Sequence, residues 1–342
     1  MTRNKLYVFC FVVILSLTAQ AQVRKSDSIF TETSPPKIHR SATEAIQINP
    51  ALATVTRELT YCKAGATDLR MDAYVPTQRT ARPFPALIYI HGGAWITGDK
   101  DEGPIEADLP ELLARGYAVF SINYRLAPIN QFPSQIQDCK CAVRSIRANA
   151  ARHNIDPARI GVWGSSAGGH LAALLGTTNG IDAFEGFSGY PETSSAVQAV
   201  ATYFGPTDLT TSDWGFFDKV GFLLVFGTSK NWAKVSPINY VTRGDAPFFV
   251  VGGDRDDKVD VRQSQSFYAR LQSAGVPSDL LIVKNCDHEF APKGGALNPS
   301  RAEVTKRLAD FFDKHIRLTT SPTLASQSSR VVNSRQAIIS QQ

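Results

Sequence analysis

The chain reads as one α/β domain over residues 56–316: a mostly parallel central sheet flanked by helices, with a small insertion near 210–235. Three observations carry this reading. Short apolar runs alternate with helix-period segments from end to end, the pattern of parallel strands joined by crossover helices. Several runs, such as Pro85-Ala86-Leu87-Ile88-Tyr89-Ile90, are almost wholly apolar, as strands covered on both faces are. One run, Ile160-Gly161-Val162-Trp163, leads into Gly164-Ser165-Ser166-Ala167-Gly168 and then into a helix, a sharp strand-to-helix turn.

The first 21 residues stand apart. Arg3 and Lys5 precede an apolar run from Leu6 to Leu17, and Ala19-Gln20-Ala21 follows, the order of a secretory signal peptide. The run is short for a membrane span. Cleavage after Ala21 is expected, with export to the periplasm or beyond the cell and no stable membrane span thereafter. At 43% hydrophobic and 20% charged, the 342 residues suit a globular chain with one substantial core. The formal charge of +5 includes the two basic residues of the leader, so +3 remains without it. No basic run or aromatic-interleaved basic patch points to nucleic acid. Cys62, Cys139, Cys141 and Cys286 remain after the leader. Cys139 and Cys141 lie two apart on a predicted helix and point to different sides. Free buried thiols are the expectation, with Cys62 and Cys286 the candidates for a disulfide, and no zinc-type spacing occurs.

Residues 22–55, rich in Ser, Thr, Pro and Gln, read as a linker. Glu58–Lys63 and Leu69–Val75 read as two strands around the turn-prone Ala64-Gly65-Ala66. The buried run ending at Ile90 opens into His91-Gly92-Gly93-Ala94-Trp95, where two glycines let the backbone turn its amides inward. A helix around Glu106–Arg115, closed by Gly116, leads to a buried strand over Tyr117–Tyr124. The next helix starts at Ser134, with Gln137 placed for a capping box. Its Ile136, Cys139, Val143, Ile146 and Ala150 keep helical spacing. Beyond Ser166 the helix carries Leu171, Leu174 and Leu175, and Gly176 is placed to close it. Ala196–Phe204 is a further strand.

Between Thr210 and Val235 the alternation breaks, and Trp214, Phe216, Phe217, Phe222, Phe226 and Trp232 crowd together. This is the expected cap, whose aromatics mostly pack its own core. The alternation resumes with a strand over Pro247–Gly252, an acidic loop, a helix over Val261–Ser273, a strand over Asp279–Val283 and a helix over Ala302–His315. Residues 317–342, rich in Ser, Gln and Thr, read as a disordered tail.

A serine at such a turn needs a base within hydrogen-bond reach. His39 lies in the linker, His153 near a helix end and His315 at the end of the last helix. His91 belongs to the Gly-rich loop, and His170, one turn past Ser166, faces the interior. His288 follows the last strand, and the carboxyl ends of parallel strands open on one edge of the sheet. Ser166 and His288 are therefore expected to meet there. The ring needs an acid to hold its tautomer. Asp254, Asp256, Asp257 and Asp260 lie in the loop after Val251. With Gln263 three residues on, Asp260 reads as the N-cap of the following helix, and spacing does not choose between Asp254 and Asp256.

With these runs in view, residues 57–315 resemble exported bacterial α/β-hydrolases with a His-Gly-Gly-x-Trp oxyanion motif. That group includes acetyl xylan and feruloyl esterases and is similar to the hormone-sensitive-lipase-like carboxylesterases. The matching runs are His91–Trp95 with Gly98-Asp99-Lys100, Tyr124–Pro128, Gly164–Leu171, Phe204–Asp208, Ser236-Pro237-Ile238, Gly253–Asp256 and Asp287-His288. The resemblance implies the α/β-hydrolase fold and a triad of Ser166, Asp256 and His288. It also implies oxyanion donors at Gly93, Ala94 and Ala167, with Gly92 beside them, and no metal or organic cofactor. It implies a serine carboxylesterase acting on short acyl esters or on acetyl or feruloyl carbohydrate esters. Arylformamidase or exopeptidase activity and a noncatalytic binding role are the competing readings. Asp257-Lys258 and Cys286-Asp287 depart from the group's pattern beside the acid and the base.

Overall fold

The computed structural model describes residues 45–317 apart from 79, 81, 187, 188, 212 and 213. The expected leader, most of the linker including His39, and the tail beyond 317 lie outside the described residues. The chain divides into two units, Met1–Ala45 and Ile46–Gln342, and of the first only Ala45 is described.

In the second unit the strands are β1 (Ala53–Ala64), β2 (Thr67–Pro76), β3 (Phe84–Ile90), β4 (Ala118–Ile122), β5 (Ile155–Ser165), β6 (Ala199–Tyr203), β7 (Phe248–Gly253) and β8 (Ser278–Val283). They form one sheet in the order β1-β2-β4-β3-β5-β6-β7-β8. The β1–β2 and β2–β4 pairs are antiparallel and all later pairs parallel. The helices are α1 (Ile105–Ala114), α2 (Ser134–Ala148), α3 (Ala167–Thr177), α4 (Asp182–Glu185), α5 (Phe216–Phe226), α6 (Val261–Ser273) and α7 (Arg301–Phe312).

Side-chain alternation along the strands splits the core in two. Ile88, Val162, Val200 and Val250 point to the face covered by α2, α3 and α6 through Val143, Leu171 and Phe267. Leu87, Trp163, Ala201 and Val251 point to the other, covered by α1 and α7 through Leu109 and Leu308. Every residue of β3 is buried, which explains its unbroken apolar run.

Several local expectations are corrected. β1 begins at Ala53, inside the span read as linker, because its alternating buried and exposed residues need only β2 as a partner. Ser134 is the first residue of α2, not its cap. Pro133 holds that place without a side-chain bond, and Gln137 reaches the Ala183 carbonyl instead. Gly176 does not end α3, which runs to Thr177. A Cβ on Gly176 would meet Phe248 and Val200, so close packing explains the glycine.

Cys62 is disulfide-bonded to Cys141, joining β1 to α2, while Cys139 and Cys286 are free and buried. Free thiols throughout, the expectation, fail because α2 turns Cys141 toward the hairpin and Cys139 into the core. Gly189 approaches both bonded sulfurs.

Residues 210–235 contain α5 and a 3₁₀ turn, Ser229–Val235. Their Phe226 and Phe222 pack edge-on against Trp95 at 4.9 and 6.1 Å, and Trp214 and Trp232 close on Phe222 at 5.1 and 5.4 Å. The insertion's aromatic core thus rests on the loop after β3. Among the described residues no helix is long and apolar enough to cross a membrane.

Candidate active site

Ser166 sits between β5 and α3 with φ 55° and ψ −119°, outside the regions an L-residue favours. The strain is held from both sides. The Ser166 amide donates to the Tyr203 carbonyl at the end of β6 at 2.8 Å. Gly164 and Gly168 press against each other and against the end of β3. A Cβ on Gly168 would collide with the carbonyls of Ile90 and His91, and one on Gly164 with Gly168 itself. These contacts are the physical reason the two glycines flank the serine. Ala167 opens α3, so its amide lies among the helix's unbonded N-terminal donors.

The Gly-rich loop abuts this turn. The place a Cβ on Gly92 would occupy lies 3.4 Å from Ser166 Cβ. Gly93 and Ala94 take φ of 102° and 53°, and the Gly93 carbonyl accepts the amides of Ile96 and Thr97 at 3.0 and 2.9 Å. Among the described residues the amides of Gly93 and Ala94 donate to no backbone carbonyl of the loop. Two buried histidines brace the loop. His91 stacks on Tyr124 at 4.3 Å and bonds the Gly92 carbonyl through Nδ1 at 2.7 Å. His170 Nε2 bonds the Val235 carbonyl at 2.7 Å, and its Nδ1 accepts the Trp95 indole N–H at 3.2 Å. Burial pushes both rings down to about 4, although each carbonyl partner raises them, so both are neutral near pH 7. His170 therefore faces the interior and serves the loop through Trp95.

His288 follows β8, and its Nδ1 lies 2.9 Å from Asp256 Oδ2. The Asp256 side chain is fully buried, whereas that of His288 keeps 18% of its exposure. The other Asp256 oxygen accepts the amides of Lys258 and Val259 at 2.8 and 2.9 Å. This carboxylate is oriented before it meets the ring and places the ring proton on Nδ1, leaving Nε2 as the acceptor. Asp254, the alternative spacing left open, turns away. It accepts the Cys286 amide at 3.3 Å and faces Lys284. Asp260 caps α6 by accepting the Arg262 amide at 2.8 Å. Gln263 is not the capping partner. Its Oε1 takes the amides of Thr207 and Asp208 at 2.9 and 2.7 Å and pins the loop after β6.

Ser166, Asp256 and His288 thus lie past the carboxyl ends of β5, β7 and β8. The Phe204 ring, one residue beyond the Ser166 amide's partner Tyr203, stands 5.6 Å from the His288 ring. Among the described residues no hydrogen bond joins the Ser166 hydroxyl to that ring, whose protein partner is Asp256. Such bonds commonly tighten only around substrate.

Sequence reasoning missed a clamp beneath the histidine. Asp287 Oδ1 accepts the amides of His288 at 2.8 Å and Asp257 at 3.1 Å, while Oδ2 meets Lys293 Nζ at 2.8 Å. It ties the base's turn to the acid's loop. The two departures from the family pattern were the visible signal, because they are the residues that meet. Phe290 anchors the same turn between Tyr203 and Phe204 at 5.0 and 4.7 Å. Asp256, Asp257 and Asp287 form the grouping able to approach a metal ion among the described residues. Lys293 already serves Asp257 and Asp287, and Asp256 serves His288.

The family model described as BD-FAE matches residues 71–271. Esterase LipQ of Mycobacterium tuberculosis is 33% identical over 248 residues, covering 70% of this chain and 58% of the relative. The chain spans about half the length of the curated relatives it matches. A truncated carbohydrate esterase from gut microbiota is 29% identical with a TM-score of 0.64, over 76% of this chain and 95% of that one. A bifunctional GH43-CE protein of Bacteroides eggerthii is 31% identical with a TM-score of 0.66, over 76% and 38%. The eight-stranded sheet with helices on both faces is the α/β-hydrolase fold that these structures share.

Proposed function

Because the chain belongs to the BD-FAE family, we propose that it is a serine carboxylic-ester hydrolase working through an acyl-enzyme. The observation that carries this reading is the 2.9 Å contact of His288 with a buried, pre-oriented Asp256 on the sheet edge that bears the strained Ser166.

Ser166 attacks the ester carbonyl while His288 Nε2 takes its proton. Asp256 stabilises the imidazolium through Nδ1. The amides of Gly93, Ala94 and Ala167, with Gly92 beside them, face the charge that develops on the carbonyl oxygen. One such donor is worth about 3 kcal/mol in the transition state. His288 returns the proton to the leaving alcohol, and water then releases the acid by the same route reversed. These steps need no metal or organic cofactor. Short acyl esters, and acetyl or feruloyl esters of carbohydrates, are the substrates proposed. Similarity to a structure described as a truncated carbohydrate esterase supports the carbohydrate part. Export is proposed with it. The Cys62–Cys141 disulfide supports an oxidising compartment.

The test is hydrolysis of 4-nitrophenyl acetate by the wild type and by Ser166→Ala, with fluorophosphonate labelling alongside. Loss of turnover and of labelling in a folded variant is expected. Activity within about ten-fold of wild type, roughly 1.4 kcal/mol of barrier, would end the serine assignment.

A further inference from the structure

Glu289 follows His288 directly and takes the left-handed conformation, φ 55° and ψ 35°. This conformation comes at a cost for a residue with a Cβ. Here it swings the side chain back over the Gly-rich loop. Glu289 Oε1 and Ser166 Cβ lie 3.1 and 3.4 Å from one point, the place a Cβ on Gly92 would occupy. The carboxylate therefore borders both the serine and the loop of the proposed oxyanion donors. It belongs to an exposed residue, and among the described residues it forms no ion pair. Arg301, which lies over the neighbouring Phe290 ring, is held by Asp108 at 2.7 Å. Of the acids around His288, Asp256 is fully buried against the ring, Asp254 faces Lys284, and Asp257 and Asp287 meet Lys293. Glu289 is thus a carboxylate beside Ser166 and the Gly-rich loop, placed to face an arriving ester.

We propose that Glu289 is a specificity-determining residue that sets the charge preference of the site, admitting neutral esters and disfavouring anionic ones. The proposal rests on the esterase reading above. At the separations the geometry implies, repulsion between two carboxylates across partly solvated space corresponds to a several-fold effect. It is screened by salt. The substrate class that follows is an ester with no carboxylate near the reacting carbonyl, such as an acetylated neutral sugar.

The test compares kcat/KM for 4-nitrophenyl acetate with that for two anionic counterparts. These are 4-nitrophenyl hemisuccinate, charged on the acyl side, and 5-acetoxy-2-nitrobenzoate, charged on the leaving group. Glu289→Gln keeps the shape and removes the charge, and Glu289→Gly does so with a residue suited to the left-handed backbone. In either variant the anionic-to-neutral ratio is expected to rise about five-fold for at least one counterpart. In the wild type the same ratio should rise as salt goes from about 20 mM to about 500 mM, a response the variants lose. A ratio unmoved by the substitutions overturns the role of Glu289, whatever salt does, while neutral turnover leaves the esterase reading standing. Failure of the wild type to hydrolyse the neutral ester strikes at that reading and takes this proposal with it. If one variant does not fold, the other reads the ratio at both salt concentrations and decides the matter.

Discussion

Asp256 meets His288 Nδ1 at 2.9 Å with its second oxygen already taken by the amides of Lys258 and Val259. The carboxylate cannot rotate away without stranding two donors, so the imidazole is held in one tautomer. Asp256→Asn keeps the shape but offers the ring a carboxamide, which favours the wrong tautomer. A loss of about 10⁴-fold in kcat on 4-nitrophenyl acetate is expected with an unchanged fold, by analogy with other serine triads. A loss under ten-fold would remove Asp256 from the proposed mechanism.

Asp287 positions the base without touching the reacting atoms. Its Oδ1 receives the amides of His288 and Asp257, and Oδ2 receives Lys293. Asp287→Ala should lower kcat about ten-fold through misplacement of the ring, with KM little changed. Asp287→Asn retains an oxygen for both amides and should recover most of the loss. Equal damage by both variants would mean that the Lys293 ion pair, not the backbone bonds, holds the turn.

His91 and His170 make stability depend on pH. Both are buried and lowered to about 4 from 6.5, so between these values the unfolded chain binds protons that the folded chain refuses. Stability is then full above pH 6.5, and it is lost as pH falls through 6.5 toward 4. The two sites together give a slope of up to roughly 3 kcal/mol per pH unit. Protonation of His170 also removes the acceptor of the Trp95 indole N–H, so the Gly-rich loop should loosen early. Urea midpoints and tryptophan fluorescence from pH 7.5 to 4.5 check this. A flat midpoint across that range contradicts it.

The Cys62–Cys141 bond closes a loop of 79 residues and ties the edge hairpin to α2. Reduction, or Cys62→Ala with Cys141→Ala, should cost about 2–5 kcal/mol. The site lies at the far side of β3 from this edge hairpin, so kcat should change little at temperatures where the variant stays folded. Denaturation with and without reductant measures the first point, and ester turnover below the melting range measures the second.

Much of this architecture was written locally. Apolar periods marked the parallel strands and their helices, because each side chain's exposure follows from its own place along a strand or helix. The turn at Ser166 was equally legible, since its two glycines answer to contacts within a few residues and with the neighbouring strand end. The capping partners of Ser134 and Asp260 were misread. Gln137 and Gln263 found acceptors and donors elsewhere, at Ala183 and at Thr207 with Asp208.

What a single chain of letters determined, then, was the order of elements, the strained serine and the set of histidines and acids at the strand ends. The tertiary structure decided between the two acids that spacing left open, which cysteines bond, how Asp287 and Lys293 clamp the base, and that Glu289 lies beside the serine and the Gly-rich loop. The division has one physical cause. Backbone conformation and burial are set by neighbours a few residues away, whereas a contact between two loops depends on how the strands beneath them stack and on which side chain each loop turns outward.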